Sequence, residues 1–99
     1  MNIGSTIKDL RKKKGIKQGV FAETIGISGT SLSQIENGNT TPKKQTLEKI
    51  CNELNVTTEL IYLLSIREED IPEANKDKYQ ATFAGIRNLM IDVFSEDDK

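Results

Sequence analysis

Residues 18–37 read QGVFAETIGISGTSLSQIEN, and the spacing of apolar and small residues in this block predicts two short helices joined by a tight turn. Phe21 and Ile25 are four residues apart, so they share one face of the first helix. Ala22 lies beside them and leaves room for the backbone of another helix to approach closely. The first helix is therefore predicted to pack on a neighbour through a face that combines apolar bulk with one small residue.

The turn is predicted from the three residues that follow. Gly26 can adopt the positive φ that ends a helix at low steric cost, and Ile27 can pack back across the turn. Ser28 is a good N-cap, so the second helix is predicted to begin near Gly29.

The second helix has two chemically distinct faces when its residues are placed at about 100° intervals. The core face carries Leu32 and Ile35. The opposite face carries short neutral side chains that both donate and accept hydrogen bonds, which suits the base edges of the DNA major groove. These residues are Thr30, Ser33, Gln34 and Asn37.

With these features the block resembles the phage-repressor-like helix-turn-helix family, also called the xenobiotic-response-element or Cro-like family. The small residue, turn glycine and two apolar residues of the family pattern match Ala22, Gly26, Leu32 and Ile35. The similarity extends over roughly residues 3–64 and includes the later segments Leu32 to Gly38, Pro42, Leu47 to Ile50 and Leu54 to Val56.

The chain is predicted to be all-α, with a five-helix domain of this family followed by a C-terminal amphipathic helix. The domain is placed at 1–64, with its motif at 18–37, then a linker at 65–75, the C-terminal helix at 76–94 and a frayed tail at 95–99. Within the domain, Ile3, Ile7 and Leu10 mark the first helix, which Gly15 ends. Thr41 and Pro42 read as the N-cap and first residue of the fourth helix, and Thr57 or Thr58 caps a fifth helix that runs to Leu64.

The resemblance implies that the third helix reads DNA bases and that its flanks hold phosphates. The expected base contacts are Ser28, Gly29, Thr30, Ser33 and Gln34, with Gly29 contributing no side chain. The expected phosphate contacts are Lys17, Gln18, Asn37, Asn39, Thr40, Lys43 and Lys44. Lys44 departs from the family pattern, which often has an apolar residue there, so the start of the fourth helix can be shifted. Arg11 and Glu36 match family positions that form a structural ion pair.

The last predicted helix carries apolar residues spaced 4, 3, 4 and 3 apart, a heptad pattern over about two heptads. One interpretation is that this stripe packs on its own domain. The other, which the five helices already available for the core favour, is a two-fold dimer interface. The residues with this spacing are Tyr79, Phe83, Ile86, Met90 and Val93, and Leu89 broadens the expected interface.

Charge is unevenly distributed along these 99 residues, whose net charge is −1. Residues 1–56 contain nine Lys or Arg against five Asp or Glu, whereas residues 57–99 contain five against ten. The acidic half would be repelled by phosphate and is predicted to point away from DNA. The run of cations at residues 12–14 is either a phosphate patch or a solvated helix face.

Composition excludes several functional classes. Without histidine the chain has no residue for acid-base work of the usual kind or for a common zinc site, so neither catalysis nor a metal or cofactor is predicted. Cys51, the only cysteine, lies on an apolar helix face and is predicted to be a buried hydrophobe rather than a reactive thiol. The longest apolar stretch, Leu60 to Leu64, is too short for a bilayer, and a cytoplasmic protein is expected.

Two functions follow from these expectations. The leading one is a homodimeric transcriptional repressor that inserts the third helix into the major groove of a palindromic operator. The alternative is an antitoxin-type component that binds a protein partner through its acidic C-terminal segment and regulates its own gene through the same DNA-binding domain. A heptad stripe in the tail favours self-pairing, whereas a disordered tail would favour a partner.

Overall fold

The computed structural model describes residues 1–95, which contain seven α-helices and no β-strand. The helices are α1 (Ile3–Lys13), α2 (Gln18–Ile25), α3 (Gly29–Glu36), α4 (Lys44–Leu54), α5 (Thr58–Leu64), α6 (Lys76–Ala81) and α7 (Phe83–Ser95). The all-α prediction is confirmed. The frayed tail predicted for 95–99 lies outside the described residues except for Ser95, which is the last residue of α7.

Side-chain caps fix the starts of three of the first five helices. Asn2 accepts a hydrogen bond from the N–H of Ser5 at 3.0 Å at the start of α1, and Ser28 accepts one from the N–H of Ser31 at 3.0 Å at the start of α3. Thr57 caps α5 in the same way. These bonds satisfy N–H groups that have no partner inside the helix. Ser28 and Thr57 are the caps predicted from the sequence.

The turn between α2 and α3 has the predicted left-handed residue. Gly26 has φ 80°, and the N–H of Ile27 returns to the carbonyl of Ala22 at 3.0 Å. Ile27 is partly buried against the core. This turn sets the angle at which α3 leaves α2.

The core is formed by apolar residues from α1 to α5, joined by one from α7. The buried apolar side chains are Ile7, Leu10, Phe21, Ala22, Ile25, Leu32, Ile35, Leu47, Ile50, Cys51, Leu54, Ile61, Leu64 and Ile91. The helical periodicities read from the sequence place the core residues of the first four helices correctly, and the fifth helix adds Ile61 and Leu64. Ile91 was not among the apolar residues assigned to the C-terminal stripe.

Gly4 lets α1 lie directly against the end of α3. A Cβ atom at this position would lie 2.0 Å from the carbonyl oxygen of Ile35. No side chain fits at that distance, so the approach of these two helices depends on glycine.

The prediction for the start of α4 is wrong by two residues. Thr41 and Pro42 precede the helix in non-helical conformation, Lys43 is the N-cap, and Lys44 is the first helical residue. Non-helical residues extend about 3.3 Å each, against 1.5 Å in a helix, so the longer loop carries the chain across from the end of α3. The shift agrees with the departure at Lys44 from the family pattern, and it leaves the buried face of α4 unchanged.

The C-terminal segment differs more from its prediction, because the single helix expected at 76–94 is two helices. Thr82 interrupts it with φ −125° and ψ −74°. The Thr82 hydroxyl donates to the carbonyl of Lys78 at 2.7 Å, a side-chain bond that competes with the helical ladder. The predicted linker at 65–75 is also ordered, with 3₁₀ turns at Glu68–Asp70 and Glu73–Asn75.

Helix α7 packs on α1 through a face that includes Arg87 and Ile91. Ile91 is 3% exposed. Arg87 donates from Nε to the carbonyl of Leu64 at 2.7 Å, and from Nη2 to Thr6 Oγ1 and Asp9 Oδ2, both at 3.2 Å. Packing on its own domain, one of the two interpretations, is therefore present.

The predicted apolar stripe is divided between the domain and solvent. Met90 packs against the core, and Tyr79 and Phe83 are half-buried with their rings 5.7 Å apart. Ile86, Leu89 and Val93 are 49%, 66% and 67% exposed. These three residues, which we call the α7 apolar stripe, remain available for a partner in the single chain.

Candidate nucleic-acid interface

The residues predicted to touch bases lie together on one side of α3. Gly29, Thr30 and Gln34 are exposed, Ser33 is half-buried, and Ser28 is exposed at the N-cap. Leu32 and Ile35 point into the core from the other side of the helix. We refer to Ser28, Gly29, Thr30, Ser33 and Gln34 as the recognition face.

A buried ion pair ties α3 to α1. Arg11 donates from Nε to Glu36 Oε2 at 2.7 Å and from Nη2 to Oε1 at 3.0 Å, and the two side chains are 7% and 1% exposed. Arg11 also donates to the carbonyl of Ile16 at 2.7 Å. The structural pairing expected from the family resemblance is confirmed, and its two parallel hydrogen bonds fix the orientation of α3.

Gln18 completes this network. Its Nε2 donates to Glu36 Oε1 at 2.9 Å. The side-chain amide predicted to hold a phosphate is therefore used within the domain, where it helps to satisfy a buried carboxylate. Sequence reasoning missed this contact, although Gln18 and Glu36 were both singled out for other reasons.

Cations and small polar groups flank α3 on two sides. Lys17 is exposed at the N-cap of α2, where no side chain caps the first N–H groups of the helix. Asn37, Asn39, Thr40, Lys43 and Lys44 are exposed between the end of α3 and the start of α4. Apart from Gln18, the predicted phosphate-contact residues are thus exposed on the segment before α2 and on the segment between α3 and α4, and their role toward DNA stays a prediction. The Nδ2 group of Asn37 also donates a hydrogen bond to Ser33 Oγ at 3.4 Å.

The lysine run of α1 faces α7. Lys13 pairs with Asp92 at 2.9 Å. Lys12 and Lys13 also line a groove between the two helices together with Asp9 and Asn88. Of the two interpretations for this run, the structure favours a solvated helix face that is partly neutralised by the acidic half of the chain.

Helix α1 separates the recognition helix from α7. Gly4 and Arg11, which contact α3, are seven residues apart and therefore lie on the same side of α1. Thr6, Asp9 and Lys13, which contact α7, lie roughly 140° to 200° around the helix from Gly4. Helix α7 is thus on the side of α1 opposite α3.

Cys51 is buried, and burial together with the nearby Glu59 and Glu48 carboxylates raises the pKa of its thiol to about 11. The thiolate is the reactive form, so Cys51 behaves as the predicted small hydrophobe. Within residues 1–95 we find no group of three or more side chains able to hold a metal ion. None of the helices described is long and apolar enough to cross a membrane.

Comparison with known proteins gives one family match. The model of a helix-turn-helix family matches residues 7–61. No solved structure matches the chain significantly.

Three curated relatives each match part of the chain. The ImmF control region 10 kDa protein of Bacillus phage phi105 is 38% identical over 65 residues, covering 66% of this chain and 72% of that protein. The HTH-type transcriptional regulator ImmR of Bacillus subtilis is 33% identical over 76 residues, which are 77% of this chain and 57% of ImmR. Antitoxin PezA of Streptococcus pneumoniae is 42% identical over 55 residues, 56% of this chain but only 35% of PezA.

Proposed function

This chain belongs to the helix-turn-helix family, and we propose that it is a sequence-specific transcriptional regulator, a homodimeric repressor that acts in the cytoplasm. In this proposal α3 enters the major groove of a palindromic operator, and each protomer reads one half-site. The similarity to a phage control-region protein and to the regulator ImmR supports this function.

The observation that carries the proposal is the chemistry of the recognition face and of its edges. The face itself consists of hydroxyl and amide groups, which match base edges. In the proposal Lys17, which is exposed at the N-cap of α2, lies toward one backbone, and Lys43 and Lys44, which are exposed at the start of α4, lie toward the other. Neutral groups in the centre with cations on both sides match a groove of base edges between two phosphate backbones.

Selection of bound sequences from random duplex DNA tests this function directly. If each protomer neutralises about three or four phosphates, a dimer should give a slope of roughly −5 to −7 in a plot of log affinity against log salt. Lys43→Ala should weaken binding to all sequences and make the slope shallower. Gln45→Ala, a neutral exposed residue of α4, is the matched control. An affinity that does not change with salt concentration, or the absence of binding to any duplex at low salt, would refute the proposal.

Specificity is tested by Gln34→Ala. An amide at this position can pair with both hydrogen-bonding groups of an adenine edge, so the substitution should cost about 1 to 3 kcal/mol on the selected site and relax preference at one base pair per half-site. Because Gln34 is exposed, its loss should leave the melting temperature nearly unchanged. Unchanged discrimination would mean that another surface reads the bases.

Dimerisation through the α7 apolar stripe is the second part of the proposal. Ile86, Leu89 and Val93 follow one helix face and are about half to two thirds exposed in the single chain. Two recognition helices must lie about 34 Å apart to enter successive major grooves. A stripe on the side of α1 away from α3 pairs the protomers while their recognition faces stay free.

Ile86→Glu tests this interface. Pairing would bring two carboxylates into an apolar seam near the two-fold axis, so the dimer should dissociate and binding to a palindrome should lose cooperativity. The fold should survive because Ile86 is 49% exposed. Asn88→Glu, which adds the same charge on the side that faces α1, should remain dimeric. Sedimentation equilibrium measures both, and a dimeric Ile86→Glu variant would contradict the assignment.

The second candidate function is an antitoxin-type component that binds a protein partner through its acidic C-terminal segment. The similarity to antitoxin PezA over 55 residues favours it. It requires the α7 apolar stripe to bind a different chain, so the wild-type protein would be a monomer at micromolar concentration. The same sedimentation experiment therefore separates the two functions.

A further inference from the structure

The recognition face lacks the side chains that read guanine and cytosine most strongly. Guanine is recognised by bidentate arginine or lysine, and cytosine by a carboxylate acceptor. The described face has neither, since the acidic residue of α3, Glu36, is buried against Arg11. The group on this face with bidentate capacity is the amide of Gln34, which matches the N6 and N7 groups of adenine.

A shallow depression of about 400 Å³ adjoins the recognition face. It lies between α3 and the segment that leads into α4. Its apolar lining residues are Ile27 and Pro42, which are partly buried, and Ile35, which is only 6% exposed, and Thr30 and Gln34 also line it. Thr30 and Gln34 are both predicted base contacts and lie about 40° apart around α3, so the depression opens on the same side as the recognition face.

An apolar surface at this position has a specific counterpart in DNA. The 5-methyl group of thymine is the apolar group that a base pair presents in the major groove. The other edges there are hydrogen-bond donors and acceptors, which gain nothing from contact with isoleucine or proline. The depression therefore complements thymine, next to a glutamine that complements adenine.

We infer that this protein reads an A·T-rich half-site, in which Gln34 pairs with an adenine and the depression receives the 5-methyl group of an adjacent thymine. This inference rests on the proposed DNA-binding function and specifies the base pairs that the same site selects. Lys43 borders the depression at the N-cap of α4, and the proposed function assigns its charge to the phosphate backbone. Discrimination between thymine and uracil is thus assigned to the apolar walls and to the γ-methyl group of Thr30.

The test uses the full chain and its selected duplex. Each thymine of one half-site is replaced in turn by deoxyuridine, which removes only the 5-methyl group, and the Kd is measured at fixed salt. At one position per half-site the substitution should weaken binding about fourfold, the effect of roughly one buried methyl group. At the other thymines the Kd should change less than twofold.

Thr30→Ser links this effect to the depression, because it keeps the hydroxyl group and deletes one wall methyl. In this variant the ratio of the Kd for the deoxyuridine duplex to the Kd for the thymine duplex should fall from about fourfold to below twofold, and only at that position. Thr24→Ser, on the exposed surface of α2 and outside the depression, makes the same chemical change and should leave the ratio unaltered.

The outcomes distinguish this inference from the proposed function. G·C-rich selected half-sites, or equal affinity for thymine and uracil at every position of a specifically bound operator, would overturn the inference and leave the regulator intact. That result would mean that the depression faces a sugar of the backbone. Absence of any sequence preference, or of duplex binding, would instead refute the proposed function.

Discussion

The two parts of this chain are held together by different forces. Helices α1 to α5 enclose a continuous apolar core, and the two buried charged groups, Arg11 and Glu36, satisfy each other. Helices α6 and α7 contribute Ile91 and the partly buried Met90 to that core, and otherwise attach through hydrogen bonds and charges such as those of Arg87 and Lys13. Apolar burial is cooperative across the first part, whereas the second is attached through a few separate contacts. The first part should therefore unfold as a unit, and the second should be able to open alone.

The largest effect is expected from breaking the buried pair of the first part. Glu36→Ala leaves the Arg11 guanidinium buried without its carboxylate and also removes the partner of Gln18, so it should lower the free energy of unfolding by about 3 to 5 kcal/mol. Urea denaturation followed by circular dichroism measures the loss. The double variant Arg11→Met/Glu36→Leu, which buries no unpaired charge, should be more stable than Glu36→Ala. Equal stability of the two would contradict this account.

A somewhat smaller effect is expected at Gly4. In Gly4→Ala the new methyl group collides with the carbonyl of Ile35, and the overpacking should cost about 1 to 3 kcal/mol by forcing α1 away from α3. Gly19→Ala is the matched control, since a Cβ there meets no atom within 4 Å and the helix gains stability by about 0.5 to 1 kcal/mol. Thermal melts of both variants check the opposite signs, and two destabilised variants would show that helix contact is not the cause.

The second part is expected to respond locally. Arg87→Met removes hydrogen bonds to the Leu64 carbonyl, Thr6 and Asp9, while it keeps most of the apolar stem. Hydrogen exchange should accelerate in α7, with protection of the α4 amides changed by less than about threefold. A uniform loss of protection over both helices would mean that the chain is one cooperative unit and would break the comparison.

The smallest effect is expected in the chemical reactivity of the Cys51 thiol. The thiol of Cys51 should react with iodoacetamide at pH 8 only as fast as the first part unfolds, because burial and the neighbouring carboxylates raise its pKa to about 11. Between pH 9, the ordinary pKa of the thiol, and pH 11, the folded protein keeps the thiol proton that the unfolded chain loses. The contribution of Cys51 to the free energy of unfolding is therefore complete below pH 9 and falls as the pH rises through this window. A cysteine introduced at exposed Asn88 in α7 should react at once. Equal rates would refute the contrast.

The same division explains what could be predicted from the sequence. In α1 to α5 the apolar spacing, Gly26 and the caps Ser28 and Thr57 act locally, so periodicity and residue chemistry were sufficient for the core and for the side of α3 that faces outward. The start of α4 was misplaced because Thr41 and Pro42 have the chemistry of a helix start, and the distance between α3 and α4 is not visible in those residues.

The C-terminal helices were predicted less well because polar contacts between distant residues position them. A heptad pattern identifies an apolar stripe, but it cannot predict that Arg87 donates a hydrogen bond to the carbonyl of Leu64, 23 residues earlier in the chain. That bond turns Ile91 inward and leaves Leu89 exposed. The Gln18 contact was missed for a similar reason, since an amide at a helix start matches phosphate and carboxylate equally well.

The opposite faces of α1 also have a consequence for synthesis on the ribosome. Thr6 meets Leu64 and Arg87, which are 58 and 81 residues further along the chain. Helix α1 therefore makes these hydrogen bonds only after the ribosome has added the 81 residues that separate Thr6 from Arg87. Until then its buried side chains lack their final partners, which exposes α1 to chaperones and to premature association during synthesis.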